Sequence, residues 1–224
     1  MRTRFLLILL LLLPISQIVD AGKKQSDERE DIYNVLRLDE LGLPLEAYKM
    51  AIHGLDKLIE KGMLTNSSIL TIIDFSQSSN NKRLYVIDLC KKMLLFNTYV
   101  AHGRNTGSEY ATKFSNKEGS FMSSLGFYLA QNIATGSKVG LSVILQGLEK
   151  GVNDKAEKRE IIMHGADYAT EDFIQKFGRL GRSFGCPSLP PDQIKPVAET
   201  IKGGTCLFIY RHDKNYINHS VLLK

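Results

Sequence analysis

The chain has 224 residues, 43% of them hydrophobic, with 29 Lys+Arg against 24 Asp+Glu and a net charge of +5. That is enough apolar material for one ordinary domain with its own core, which excludes a wholly disordered chain. The basic excess is mild and no basic stripe is interleaved with aromatics, so nucleic acid is not indicated as a partner, whereas an anionic polymer suits it.

In chain order, Arg2 and Arg4 precede an apolar run from Phe5 to Pro14, and the segment closes on the small residue Ala21. This is the layout of a secretory signal peptide over residues 1–21. The run is shorter than the ~20 residues that span a bilayer, so no stable membrane span is expected after cleavage. Export to the periplasm or cell envelope follows. Residues 22–66 read as a charged tether, Lys23 to Asp31, and a helical segment from Ile32 to Lys61, broken at Leu41 to Leu45. Ala47, Met50, Ala51, Leu55, Leu58 and Ile59 form its predicted buried stripe, Gly62 ends it, and His53 falls on its surface side.

Residues 67–224 change to short β-branched runs separated by Gly, Ser and Asn: SILTIIDF, KRLYVIDL, MLLFNTYVA, LSVILQGL, REIIMHG and TCLFIYR. These read as strands, with KRLYVIDL covered on both faces. Short helices are expected over Thr170 to Phe177 and over Gln193 to Lys202, the second with Asp192 as N-cap. The predicted class is mainly β, a β-rich α+β domain behind a short N-terminal helical segment. Three cysteines in an oxidising compartment leave at least one thiol unpaired. Cys90 and Cys206 lie in strand-like runs and read as small buried hydrophobes or as a disulfide with each other.

The chemistry-bearing stretch is IIMHGADYATEDFIQKFGRLGRSFGCPSLP, with His164 at the end of an apolar strand and Cys186 in a Gly-rich, Pro-bounded loop. A thiol becomes a useful nucleophile when a base raises its thiolate fraction, and an imidazole does so near neutral pH. Gly185 permits unusual dihedrals, so the amides of Gly185 and Cys186 are candidates to face a developing oxyanion. His102, His164, His212 and His219 lack paired ligand spacing, so no metal is expected, and there is no Gly-x-Ser-x-Gly elbow. Asn153-Asp154, ahead of DKAEKRE, reads as the cap of a turn on a solvated face.

His164-Gly165 and Ser183-Phe184-Gly185-Cys186 resemble the L,D-transpeptidase catalytic domain of the YkuD type. VAHGRNTG, ATKFSN, SSLGFY, LQGLEKGVNDKAEKREIIMHGADY and RSFGCPSLP are similar to its divergent murein L,D-transpeptidase branch, over about Leu70 to Tyr210. The resemblance implies a YkuD-like β-rich domain without a cofactor that acts on peptidoglycan stem peptides. Cys186 would be the nucleophile and His164 the base, its ring oriented by the Gly165 carbonyl. The thiolate would attack the third stem residue at its bond to a terminal D-amino acid, and an amine or water would release the acyl-enzyme.

The chain departs from the common family loop, with Phe184 where a His is usual and Pro187-Ser188-Leu189 where an Arg often follows. His102 is a candidate to replace that second His, or a strand-end His satisfied by a loop carbonyl. Arg182 is a candidate for stem carboxylates, or a solvated Arg. Ser183 lies in the Cys186 loop, and Ser123, Ser124 and Asn116 lie in loops that border the site in the resembling proteins; their types also favour turns. Three functions stay open: an L,D-transpeptidase, an L,D-carboxypeptidase or other peptidoglycan hydrolase on the same scaffold, and a non-catalytic envelope-binding protein.

Overall fold

The computed structural model describes Arg29, residues 31–136 and residues 139–224. The expected signal segment and most of the tether lie outside the described residues. Eight strands form one sheet: β1 Ile69–Asp74, β2 Leu84–Asp88, β3 Met93–Thr98, β4 Gly126–Gly136, β5 Gly140–Gly147, β6 Ile162–Gly165, β7 Ser188–Leu189 and β8 Thr205–Tyr210, in the order β3-β2-β1-β8-β4-β5-β6-β7. β1 with β8 and β6 with β7 are parallel, and the other neighbours are antiparallel. Beyond β3 the chain crosses to the far end of the sheet, where Ala101 bridges Ser188 and Gly103 bridges Ser183, so the two edges nearly meet.

All six strand-like runs in the sequence become strands. β1, β2 and β8 are buried along their whole length because they sit inside the sheet with packing on both faces. β8 shows both sides in use, since successive side chains point to opposite faces. Phe208 stacks on Phe127 at 4.2 Å and the Tyr210 hydroxyl donates to Glu46 of helix α1, Leu45–Glu60. Thr205, of opposite parity, donates to the Ile201 carbonyl of helix α3, Pro191–Ile201.

Helix α1 lies where helical spacing predicts it and ends on a glycine cap: Gly62 takes φ +62°, its N–H reaches the Ile59 carbonyl, and the Met63 N–H reaches Leu58. Its buried face is rotated from the expected stripe, to Ala47, Tyr48, Ala51, Ile52, Gly54, Leu55 and Leu58, with Ile59 exposed. Gly54 sets the rotation. A Cβ there would lie 2.0 Å from the Phe127 ring, so the helix sits directly on the sheet's aromatic layer. Residues from Ile32 to Leu58 share one hydrophobic core with the strands.

Helix α2, Glu171–Phe177, is capped by Thr170 and closed by Gly178 at φ +75°. Asp192 is not the N-cap of α3. Pro190 holds that place and Pro191 opens the first turn, because a proline's fixed φ suits that position and its missing N–H costs nothing there. The cysteines divide: all three are free, so Cys90 and Cys206 form no disulfide, and Cys206 is a small buried residue on β8 as one of the two readings expects, whereas Cys90 is exposed in a turn. Among the described residues no helix is long and apolar enough to cross a membrane.

Candidate active site

His164 comes from the short strand β6, which is held between β5 and the two-residue β7; its register partners are Ser142 and Ser188. Its Nδ1 lies 2.9 Å from the carbonyl of Gly165. A carbonyl only accepts, so Nδ1 carries the proton and Nε2 presents its lone pair. That lone pair is met by the Ser188 hydroxyl at 3.1 Å, and Ser188 is in turn 3.0 Å from the Tyr168 hydroxyl. Tyr168 stands on a 3-10 turn, Asp167–Ala169, and packs so closely on Gly181 that a Cβ there would lie 2.4 Å from it.

The Cys186 loop is tied by its own serine. Ser183 Oγ donates to the Cys186 carbonyl at 2.6 Å and accepts the Gly185 N–H at 3.0 Å. Gly185 adopts φ +132°, where an added Cβ would lie 3.0 Å from both Ile161 and the Met122 carbonyl. Its own carbonyl accepts from Ser123 Oγ at 3.0 Å, and that serine also receives the Gly103 N–H. The Gly185 amide is therefore engaged inside the loop rather than free for an oxyanion.

Cys186 Sγ is 3.6 Å from the Glu160 carbonyl, and this contact, not one to His164, is the thiol's hydrogen bond. Burial pushes the thiol up, opposed by the Ile162 amide and by the Arg159 guanidinium. The resting sulfur is thus a protonated thiol, beside the strand that carries His164.

The other expected site residues divide. His102 is buried, with Arg83 Nη2 donating to its Nδ1 at 2.9 Å and its Nε2 directed at the Gly107 carbonyl at 3.4 Å. Burial, then Arg83, hold its imidazole down to about 3, so it is neutral with both nitrogens engaged within the protein. Arg182 is exposed, and its Nη1 reaches the carbonyls of Arg104 and Gly107 at 3.2 and 3.1 Å. Ser124 donates to the Ser115 carbonyl, and Asn116 pairs with Asp154 at 2.8 Å, so these two serve the loop rim.

Phe184 is 65% exposed, packs on Phe121, and shares the Arg104 guanidinium with it at 5.3 and 4.8 Å. These three form an aromatic and cationic lip beside Cys186.

Four contributors were not legible in the sequence. Arg159, inside what reads as a solvated charge run, is half-buried: Nη1 donates to the Ser115 carbonyl at 2.8 Å and to Ser124 Oγ at 2.6 Å, and Nη2 to the Met122 carbonyl. Asn153 is also buried rather than on a solvated face; it donates to the carbonyls of Leu125 and Phe127. Ser188 and Tyr168, which back His164, carry no motif signal beyond lying in the same stretch.

A β-rich domain that brings a His-bearing strand beside a Gly-rich Cys loop is a candidate thiol-dependent acyl-transfer scaffold. Residues 40–210 match the family described as the L,D-transpeptidase catalytic domain, and the chain belongs to that family. Among solved structures it is similar to the L,D-transpeptidase from Mycobacterium smegmatis (13% identity, TM-score 0.40, 64% of this chain and 59% of that one). It is similar too to an L,D-transpeptidase from Stackebrandtia nassauensis (12%, TM-score 0.40, 75% and 68%) and to L,D-transpeptidase 3 from Mycobacterium tuberculosis (10%, TM-score 0.41, 64% and 61%). The chain therefore spans about three fifths of the mycobacterial proteins it matches. No curated protein matches it.

Proposed function

We propose that this protein is an exported, cysteine-dependent peptidoglycan L,D-transpeptidase that works through a Cys186 acyl-enzyme with His164 as base. Family membership supports the reaction class, and the observation that carries the residue assignment is the fixed tautomer of His164. With Nδ1–H held by Gly165, only Nε2 can take a proton, and it faces the Ser188 hydroxyl on the strand that leaves the Cys186 loop.

In the first step Cys186 turns from the Glu160 carbonyl, the Ser188 hydroxyl yields the Nε2 lone pair to it, and the thiol gives its proton to Nε2. The sulfur then attacks the carbonyl carbon of the third stem residue, and the C–N bond to the terminal D-amino acid breaks as Nε2–H protonates the leaving amine. A thioester remains. An amine of a neighbouring stem attacks it, returns its proton through His164 and frees the thiol. Water in place of the amine would give an L,D-carboxypeptidase.

Arg182, crowded by Arg179 and Arg104, supplies positive charge for stem carboxylates beside the Phe184 lip. Gly185, Ser183, Ser123, Ser124, Asn116 and His102 shape the loops around the sulfur rather than the bond-making step.

The test is mass spectrometry of muropeptides incubated with the mature protein and with Cys186→Ala. Cross-linked or D-amino-acid-exchanged products that vanish in the variant establish transpeptidation, and shortened stems alone establish hydrolysis. Identical samples refute the enzymatic reading and leave envelope binding without catalysis.

A further inference from the structure

The hydrogen-bond chain behind His164 runs in one direction only. Because Nδ1–H must donate to the Gly165 carbonyl, Nε2 is an acceptor, Ser188 O–H donates to it, and Tyr168 O–H donates to Ser188 Oγ. Ser188 is fully buried and His164 nearly so, so water does not replace these partners.

When Nε2 gains a proton it turns from acceptor to donor. A group that could only donate would then oppose it. A hydroxyl can reverse: Ser188 Oγ accepts from Nε2–H while its own proton swings to the oxygen of Tyr168, whose O–H rotates away. Backbone pairing fixes the serine for this. Ser188 sits opposite His164 in the β6–β7 ladder, its N–H and carbonyl both bond to Ala101, and Tyr168 is wedged on Gly181.

We propose that Ser188 and Tyr168 form a reversible hydrogen-bond relay that keeps the His164 imidazole satisfied in both protonation states, between its exchanges of a proton with Cys186 and with the leaving amine. Ser188 is the principal positioning residue. The relay rests on the reading of His164 as the base. It adds two residues that act on the imidazole rather than on the substrate. No substrate atom need touch either of them.

The test compares Ser188→Ala, Tyr168→Phe and Cys186→Ala with the wild-type full chain by stem-peptide kinetics, thermal unfolding and ¹⁵N NMR of the His164 ring. In Ser188→Ala, kcat is expected to fall roughly tenfold, the worth of about one hydrogen bond, with KM within about twofold. The Nε2 resonance moves downfield as its donor is lost. Tyr168→Phe, which leaves Ser188 in place, gives a smaller loss of roughly threefold, and it carries the test alone if Ser188→Ala does not fold. A merely structural role would lower the melting temperature without moving the Nε2 resonance. Unchanged kcat and resonance in both variants, with Cys186→Ala inactive, overturn the relay and leave the proposed function standing. If Cys186→Ala keeps full turnover, the functional reading fails instead, and an unmoved Nε2 resonance in the two relay variants overturns the relay as well.

Discussion

Arg159→Met removes the clamp between the turn that precedes β6 and the loop that borders Cys186. The guanidinium makes three close hydrogen bonds, to the Ser115 carbonyl, Ser124 Oγ and the Met122 carbonyl, and a longer one to Ser120 Oγ at 3.4 Å. The acceptors lie in a loop that regains water when it loosens, so a net ~1 kcal/mol per close bond is appropriate and the total is about 3 kcal/mol. At roughly 2–4 °C per kcal/mol for a chain of this size, the melting temperature should fall by roughly 6–12 °C.

A second readout separates charge from clamping. Arg159 draws the Cys186 thiol down against burial, so its loss should raise the thiol further and slow alkylation by iodoacetamide at fixed pH. Labelling is read at Cys186 by peptide mass spectrometry, since Cys90 is exposed and also reacts. Arg159→Lys keeps the charge without the forked donors, so it should restore the alkylation rate and not the melting temperature. A melting temperature unchanged in Arg159→Met, together with an unchanged rate at Cys186, would refute the assignment.

Gly185→Ala places a Cβ at φ +132° and 3.0 Å from Ile161 and the Met122 carbonyl, for a strain of about 1–3 kcal/mol. Thermal unfolding should register that loss, and turnover should fall with it as the Cys186 loop shifts. His102 sets a pH dependence whose sign follows from a folded value of about 3 against about 6.5 in the unfolded chain. Its contribution to stability is complete above pH ~6.5 and is lost as pH falls towards 3, by about 2 kcal/mol at pH 5. Urea unfolding between pH 7 and pH 5 should show that slope in the wild type and a flatter one in His102→Gln. Phe184→Ala should leave the melting temperature within about 2 °C, because the ring is mostly exposed, while raising KM for stem peptides. An unchanged KM would remove the lip from the substrate path.

Much of the fold was legible because its signals are local. The β-branched runs of β1, β2, β3, β5, β6 and β8, the helical spacing of α1 and the short helix α2 are set by neighbours a few residues away. β4 and the two-residue β7 were not read as strands. β4 mixes polar and apolar residues towards its outer end, and β7 exists only because β6 and the Ala101 segment pair with it. The rotation of α1 escaped for a similar reason: which stripe is buried depends on Gly54 meeting Phe127, far along the chain.

At the site, the sequence by itself determined that a His-Gly strand end and a Gly-Cys loop are present, and that the motifs around them belong to the L,D-transpeptidase catalytic domain. Only the tertiary structure decided the imidazole tautomer, the inward engagement of His102, the Glu160 contact of the thiol, and the places of Arg159, Ser188 and Tyr168. Residue identity states which protons a group can give or take. The direction of a hydrogen bond and the charge of a buried group depend on partners brought close by packing, and DKAEKRE reads as solvated until Arg159 meets a loop more than thirty residues away.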